Sequence, residues 1–381
     1  MSLNFQTVPL IESGLGKISI LSDICNQLNI KKPLIISDQG LFKLGFVEKI
    51  EKSLSIKNIL PSAYIKVLAD PPERNIFEAV DQYKKHKADG VIGFGGGSSM
   101  DVAKAVSYFS INSVNIEECY GVNNLKNNRC PLIQIPTTAG TGSEVTPIAI
   151  FTLENEQKMG IVDPCLYADC AILDAELTIG LPKNITAYSG IDAMVHAIEA
   201  YTTKIKKNPL SDALAKKALS LLGHNIKEAV NNPKNKKARE SMLLGSMLAG
   251  MAFANAPCAA VHALAYPIGA KFHVPHGLSN SLVLPEVLKF NSKSIANLYC
   301  EIASDCLPNL EGKRNSIDDF ILGIEQLIID LKIPRKLKEV GINQKDIHML
   351  AEDALKQQRL LINNPRNVNI EDAIAIYQSA L

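Results

Sequence analysis

The sequence predicts an α/β domain over residues 1–182 and an all-α domain over residues 183–381. Three observations carry this expectation. Short apolar runs alternate with helical stretches in the first half. After Pro182 long helical patterns take over. A chain of 381 residues also suits two domains of ordinary size.

The elements follow in order. Leu34–Ser37, Ala63–Val67, Gly90–Phe94 and Leu132–Ile135 read as short apolar strands. Phe77–His86 has helical spacing, with Phe77, Val80 and Tyr83 near one face, and Met100–Phe109 reads as another helix. Such alternation argues for a parallel sheet covered by helices, with ligands bound at the carboxyl ends of the strands. Ile148–Thr152 and Met159–Val162 read as a hairpin, and Ala171–Leu173 closes the region. The second domain is expected to hold helices at Ala187–Lys204, Ser211–Val230, Lys236–Ala254, Ser292–Cys306 and Ser316–Leu331. Ser211-Asp212 offers an N-cap, and Pro334 stops the last of these helices.

Composition narrows the function classes. Apolar residues at 46% and charged residues at 21% describe a globular chain with sizeable cores. A net charge of +1, from 40 basic and 39 acidic residues, gives no reason to expect nucleic acid or an anionic membrane as partner. None of the eight cysteines has C-x-x-C spacing, which argues against a zinc knuckle and for a reducing compartment. The amino-terminal residues lack a signal-peptide pattern, so the expected location is the cytoplasm. Ser241–Ala270 has no charged residue, but Asn255, Pro257 and His262 interrupt it. It reads as a buried helix, a turn and a second buried segment rather than a membrane span.

Gly93-Phe-Gly-Gly-Gly-Ser-Ser-Met-Asp101 lies between a strand and a helix. Glycines let a backbone approach a pyrophosphate, and a helix start supplies free N–H groups and positive dipole. The loop is neither a G-x-G-x-x-G fingerprint nor a Walker A loop, and a plain strand-to-helix turn accounts for the glycines as well. Pro136-Thr-Thr-Ala-Gly-Thr-Gly-Ser-Glu144 is a second donor-rich loop after a strand. Asp38 ends the Leu34–Ser37 run. A carboxylate there can bond ribose hydroxyls and repel a 2′-phosphate, or it can close an Asx turn before Gly40.

Asp192 and His196 are four apart in a helical stretch and therefore share a face. Their segment is otherwise apolar, so the carboxylate needs a partner. A divalent cation serves both side chains, and so does a direct Asp–His hydrogen bond. His262 stands among apolar residues, where a histidine is more often a satisfied core residue than a ligand, while His276 sits in Val274-Pro-His-Gly277, read as a constrained turn. One Asp and three His suit Fe²⁺ or Zn²⁺, and ligand type does not choose between them.

Four signatures now stand in order: Gly95-Gly-Gly-Ser-Ser-Met-Asp-Val-Ala-Lys104, Pro136–Pro147 with its Thr-Thr-Ala-Gly-Thr-Gly core, Gly190-Ile-Asp-Ala-Met-Val-His196, and His262-Ala-Leu-Ala-Tyr-Pro-Ile-Gly269 leading to Pro275-His-Gly277. Together they resemble the iron-containing, group III alcohol dehydrogenases over essentially the whole chain. The resemblance implies a Rossmann-like amino-terminal domain, NAD(P), and a metal held by Asp192, His196, His262 and His276. Gly97 and Ser98 match the pyrophosphate loop, with Gly96 and Asp101 beside them, and Thr137 and Thr138 match the facing loop. Asp38 matches the adenosine-ribose carboxylate, which favours NAD over NADP; Thr146, Lys158 and Leu177 match other positions lining the dinucleotide.

Two departures stand out. Asp70 occupies a position where many relatives carry Asn, and Tyr266 stands where several carry a histidine proposed to relay protons. His273 is a nearby replacement for that relay. The implied reaction is hydride transfer between a small alcohol or aldehyde and NAD, aided by a Lewis-acid cation, in a homo-oligomer such as a dimer. Glycerol dehydrogenases, maleylacetate reductases and dehydroquinate synthases share the broad fold and stand as alternatives. So does a non-catalytic protein that retains metal and nucleotide.

Overall fold

A computed structural model describes residues 3–381. Its contacts divide the chain into two units. An α/β unit takes Gln6–Thr138 and Gly142–Thr178, and a helical unit takes Ile179–Leu381 together with the short segment Ala139–Thr141.

The α/β unit has nine strands: β1 (Ile11–Ser13), β2 (Pro33–Ile36), β3 (Ser62–Tyr64), β4 (Gly90–Gly95), β5 (Gly121–Val122), β6 (Leu132–Pro136), β7 (Ile148–Thr152), β8 (Lys158–Val162) and β9 (Cys170–Leu173). Six form a sheet in the order β1-β9-β6-β4-β2-β3, parallel throughout. The strands β2, β4, β6 and β9 are buried along their whole length, as a parallel sheet covered on both faces requires. Ile35, Ile92, Phe94, Ile133, Ile135 and Ile172 form the centre of its core.

The expected hairpin is present: β7 and β8 pair antiparallel, and β5 joins them in a small second sheet. β1 and β5 carry no signal in the sequence pattern. They have three and two residues, too short to show a period. The Glu73–His86 helix buries Ile76, Ala79, Val80 and Tyr83, but Phe77 is 42% exposed and does not belong to the buried face.

In the helical unit, Pro209–Asn231 starts earlier than expected. Its cap is Asn208, whose side-chain oxygen accepts from the Ser211 N–H at 2.9 Å; Ser211 lies inside the first turn. Pro209 at the first helical position explains the shift, since its fixed φ suits a helix start. The uncharged stretch forms two helices, Lys236–Asn255 and Ala260–Phe272, bent by 108°. Among the described residues no single helix is long and apolar enough to cross a membrane, although this bent pair passes together by length and composition. Both helices bury their apolar residues within the unit, Met242, Leu243, Leu264 and Ile268 among them.

The largest correction concerns the helix expected to begin at Ser292. It runs from His276 to Cys306, with Pro285 inside it and a break in helical geometry at Ile295. His276 is therefore the first residue of a long helix rather than part of a turn. Pro285 disguised the continuity, because an interior proline reads as a stop.

Candidate metal centre and nucleotide loops

Three helices of one unit bring four side chains together. Asp192 and His196 project from one face of Lys183–Thr202, His262 comes from the first turn of Ala260–Phe272, and His276 opens His276–Cys306. One donor atom from each lies within 4.8 Å of the others. His262 Nε2 is 2.9 Å from His196 Nε2 and 3.8 Å from Asp192 Oδ1, while His276 Nε2 is 3.4 Å from the same oxygen.

Gly277 permits this approach. A Cβ there would stand 2.1 Å from the Tyr188 carbonyl oxygen and 3.2 Å from the Asp192 Cβ. Only a residue without a side chain lets the start of the third helix reach the backbone of the first.

The donors fit a divalent cation. Burial alone would raise the Asp192 pKa, but His196, His276, His262 and the Asn280 amide outweigh it and hold the carboxyl below its ordinary value. Burial pushes His196 down to about 3, so its imidazole is neutral and a lone pair is available. Burial lowers the His262 pKa, but Cys258 and the Glu199 carboxylate, 2.6 Å from Nδ1, outweigh it and hold it well above its ordinary value. The bond to Glu199 keeps a proton on Nδ1 and makes Nε2 the ring atom that faces the other donors. Candidate ligand atoms thus converge on one point. Asn280 reaches the same point from one turn after His276: its amide nitrogen donates to Asp192 Oδ1 at 2.6 Å and lies 3.3 and 3.4 Å from the Nε2 atoms of His262 and His276.

Around this point Phe253 stacks on His196 with centroids 4.3 Å apart, and the Tyr266 ring lies 5.9 Å from that of His276. His273 is exposed and ends the Ala260–Phe272 helix in a left-handed conformation, with φ at 53°. Glu199 and Asn280 join the site although no sequence motif includes them. Glu199 carried a readable signal, since it is an acid in the apolar run Ala197-Ile-Glu-Ala200, the same anomaly that marked Asp192.

The α/β unit builds a separate constellation at the carboxyl ends of three neighbouring strands. Asp38 follows β2, Gly96–Ser98 follow β4, and Thr137–Thr138 follow β6. The register pairs Gly95 with Pro136, which sets the two loops side by side. Gly95 takes φ of +151°, and a Cβ there would meet Ser99 Oγ at 2.7 Å. Gly96 caps the Gly97–Phe109 helix and, having no side chain, leaves the first-turn N–H groups without a capping bond of its own. That is the arrangement an anionic phosphate uses.

The remaining cofactor candidates divide in two. Asp38 Oδ1 caps the next helix, accepting from Gly40 N at 2.7 Å and Leu41 N at 3.1 Å. Asp70 pairs with Lys158 at 2.6 Å. Asp101 uses both oxygens internally, accepting from Ser143 Oγ at 2.6 Å and from Ile150 N at 2.9 Å. Thr146 Oγ1 accepts from the fully buried Lys104 at 3.2 Å. Leu177 packs against the sheet core.

Comparison with known proteins agrees with this geometry. The model of the iron-containing alcohol dehydrogenases matches residues 9–175, and that of the family's C-terminal region matches residues 186–381. A sulfoacetaldehyde reductase of Bilophila wadsworthia is 36% identical over 388 aligned positions, covering 100% of this chain and 99% of that protein. The crystal structure of a 1,3-propanediol oxidoreductase superposes with a TM-score of 0.96 at 32% identity, covering both chains completely. A sulfoacetaldehyde reductase from Bifidobacterium kashiwanohense, solved in complex with NAD⁺, gives a TM-score of 0.90 at 25% identity over 100% of this chain and 99% of that one. The chain belongs to the iron-containing alcohol dehydrogenase family.

Proposed function

We propose that the protein is an NAD-dependent alcohol dehydrogenase and aldehyde reductase whose metal, Fe²⁺ with Zn²⁺ as the alternative, is held by Asp192, His196, His262 and His276. The observation that carries the reading is the convergence of Asp192 Oδ1 with the Nε2 atoms of His196, His262 and His276 inside one helical unit. When bound, the cation supplies Lewis acidity toward an alcohol oxygen, and NAD supplies the hydride acceptor.

The chain's own residues do the rest. Burial keeps His196 neutral, and the Phe253 ring stacked on it restrains the imidazole and excludes water. Tyr266, beside His276, is the residue placed to move the hydroxyl proton through its Oη; exposed His273 is the weaker relay. Gly96, Gly97 and Ser98 bind pyrophosphate through the helix start, with Thr137 and Thr138 facing them. Asp38 spends one oxygen on its cap, and the other is available to ribose hydroxyls, which favours NAD. Lys158 and Asp70 act on the nucleotide as an ion pair. Asp101 and Thr146 act indirectly, by holding the loop that lines it, and Leu177 supports the sheet beneath. Two relatives, named a sulfoacetaldehyde reductase and a 1,3-propanediol oxidoreductase, support a small alcohol or aldehyde here. Eight free cysteines suit a cytoplasmic location.

The test is a panel of short alcohols and aldehydes with NAD⁺/NADH and NADP⁺/NADPH, after reconstitution separately with Fe²⁺ and Zn²⁺. Metal-dependent NADH production is expected, and His262→Ala should lose metal and turnover together. Normal turnover in that variant, or none with any alcohol in the loaded protein, overturns the reading.

A further inference from the structure

We infer that Glu199 is the positioning residue of the metal centre, fixing both the tautomer and the ring orientation of His262. Its two carboxylate oxygens are divided between backbone and side chain of the same short segment. Oε1 accepts from the Val261 N–H at 2.7 Å, and Oε2 accepts from His262 Nδ1 at 2.6 Å. Glu199 is 4% exposed, so neither bond competes with bulk water.

The placement follows from helix geometry. Glu199 lies three residues after His196 and seven after Asp192, and positions spaced in this way line one face of a helix. One face of Lys183–Thr202 therefore supplies two candidate ligands and the group that orients a third. The backbone hook matters as much as the side-chain one. By holding Val261 N–H, Glu199 secures the start of the Ala260–Phe272 helix, and His262 is the next residue along it.

Tautomer is the chemical point. With a proton held on Nδ1, Nε2 is the ring nitrogen that faces His196 Nε2, Asp192 Oδ1 and Asn280. A carboxylate behind the ring also raises its basicity as a ligand. The nearest substitute behind the ring is Cys258, whose sulfur lies within 4.8 Å of the donor atoms of Glu199 and His262 and is a weak hydrogen-bond partner. Glu199→Gln can offer an amide hydrogen to Nδ1. That favours the opposite tautomer, whose Nε2–H must be shed before ligation.

This inference rests on the metal reading above, and its test separates the two. The full chain, stripped by chelation, is titrated with Zn²⁺ against a chromophoric chelator in four forms: wild type, Glu199→Gln, Glu199→Asp and His262→Ala. Metal-free melting temperatures and ¹⁵N imidazole spectra are recorded beside each titration. Glu199→Gln should bind Zn²⁺ roughly 10- to 100-fold more weakly than wild type. Glu199→Asp, which keeps the carboxylate, should recover part of the loss. The His262 spectrum should show Nδ1–H in wild type and lose it in Glu199→Gln. A structural role alone would lower melting temperature and leave affinity and tautomer unchanged. Zn²⁺ affinity in Glu199→Gln within about twofold of wild type, or a His262 Nδ1 that carries no proton in the wild-type chain, overturns the inference. A wild-type chain that takes up no Zn²⁺ overturns the metal reading and this inference with it.

Discussion

The Lys104 ammonium, fully buried, donates to Ser143 Oγ at 2.7 Å from 39 residues away in sequence. It also reaches the Ile148 carbonyl at 2.6 Å, Thr146 Oγ1 at 3.2 Å and Asp101 Oδ1 at 3.4 Å. One cation therefore ties the helix that starts at the glycine loop to the Ser143–Val145 turn and the start of β7. Its burial lowers its pKa, an effect that Asp101 and Glu144 partly offset.

Lys104→Met should release that turn while leaving the metal centre unaltered. Removing one partner of a buried ion pair costs about 3–5 kcal/mol, so a lower melting temperature is expected. The diagnostic readout is a rise in KM for NAD⁺ with unchanged Zn²⁺ affinity. Equal loss of both would place Lys104 in general stability alone.

Asp38→Ala removes both the helix cap and the carboxylate placed to repel a 2′-phosphate. Cap loss costs about 1 kcal/mol. The ratio of kcat/KM for NADP⁺ to that for NAD⁺ should rise. An unchanged ratio would leave Asp38 as a cap only.

Gly277→Ala introduces a Cβ 2.1 Å from the Tyr188 carbonyl oxygen. Overpacking of this kind costs about 1–3 kcal/mol. The start of the His276–Cys306 helix must move away from Asp192, so Zn²⁺ affinity should fall together with the melting temperature. Preserved affinity would show that His276 is not held by this contact.

Chelation should destabilise the protein, because the four side chains that converge within 4.8 Å then lose the cation proposed to join them. A ligand present at about 1,000 times its Kd adds about 4 kcal/mol to stability. Scanning calorimetry with and without Zn²⁺ should show a melting temperature that climbs with metal concentration. No shift at saturating metal would contradict the proposed site.

Much of this was readable in the residues. Apolar runs such as Leu34–Ser37 and Gly90–Phe94 mark a covered parallel sheet, because burial on both faces leaves no room for polar alternation. The Asp192–His196 spacing called for a partner to a carboxylate in an apolar helix, a cation or a direct Asp–His bond, and the two residues do meet His262 and His276. What escaped depends on distance in sequence. Asn280 joins the centre only because Gly277 lets two backbones touch, and nothing local to either residue says so. Asp101 reads as a neighbour of the glycine loop, yet its carboxylate faces Ser143 and Ile150, more than forty positions downstream.

The six-stranded sheet also sets an order of events in time. Its first strand, β1, pairs only with β9, and Gly16 N bonds the Asp174 carboxylate 158 residues later. During synthesis the amino-terminal strand must wait, unpaired, until β9 has left the ribosome, while β2, β3 and β4 already have each other. Long-range parallel pairing of this kind is slow to form. An arrested chain that stops short of residue 170 would present β6 as an open edge, competent to take a strand from a neighbouring molecule.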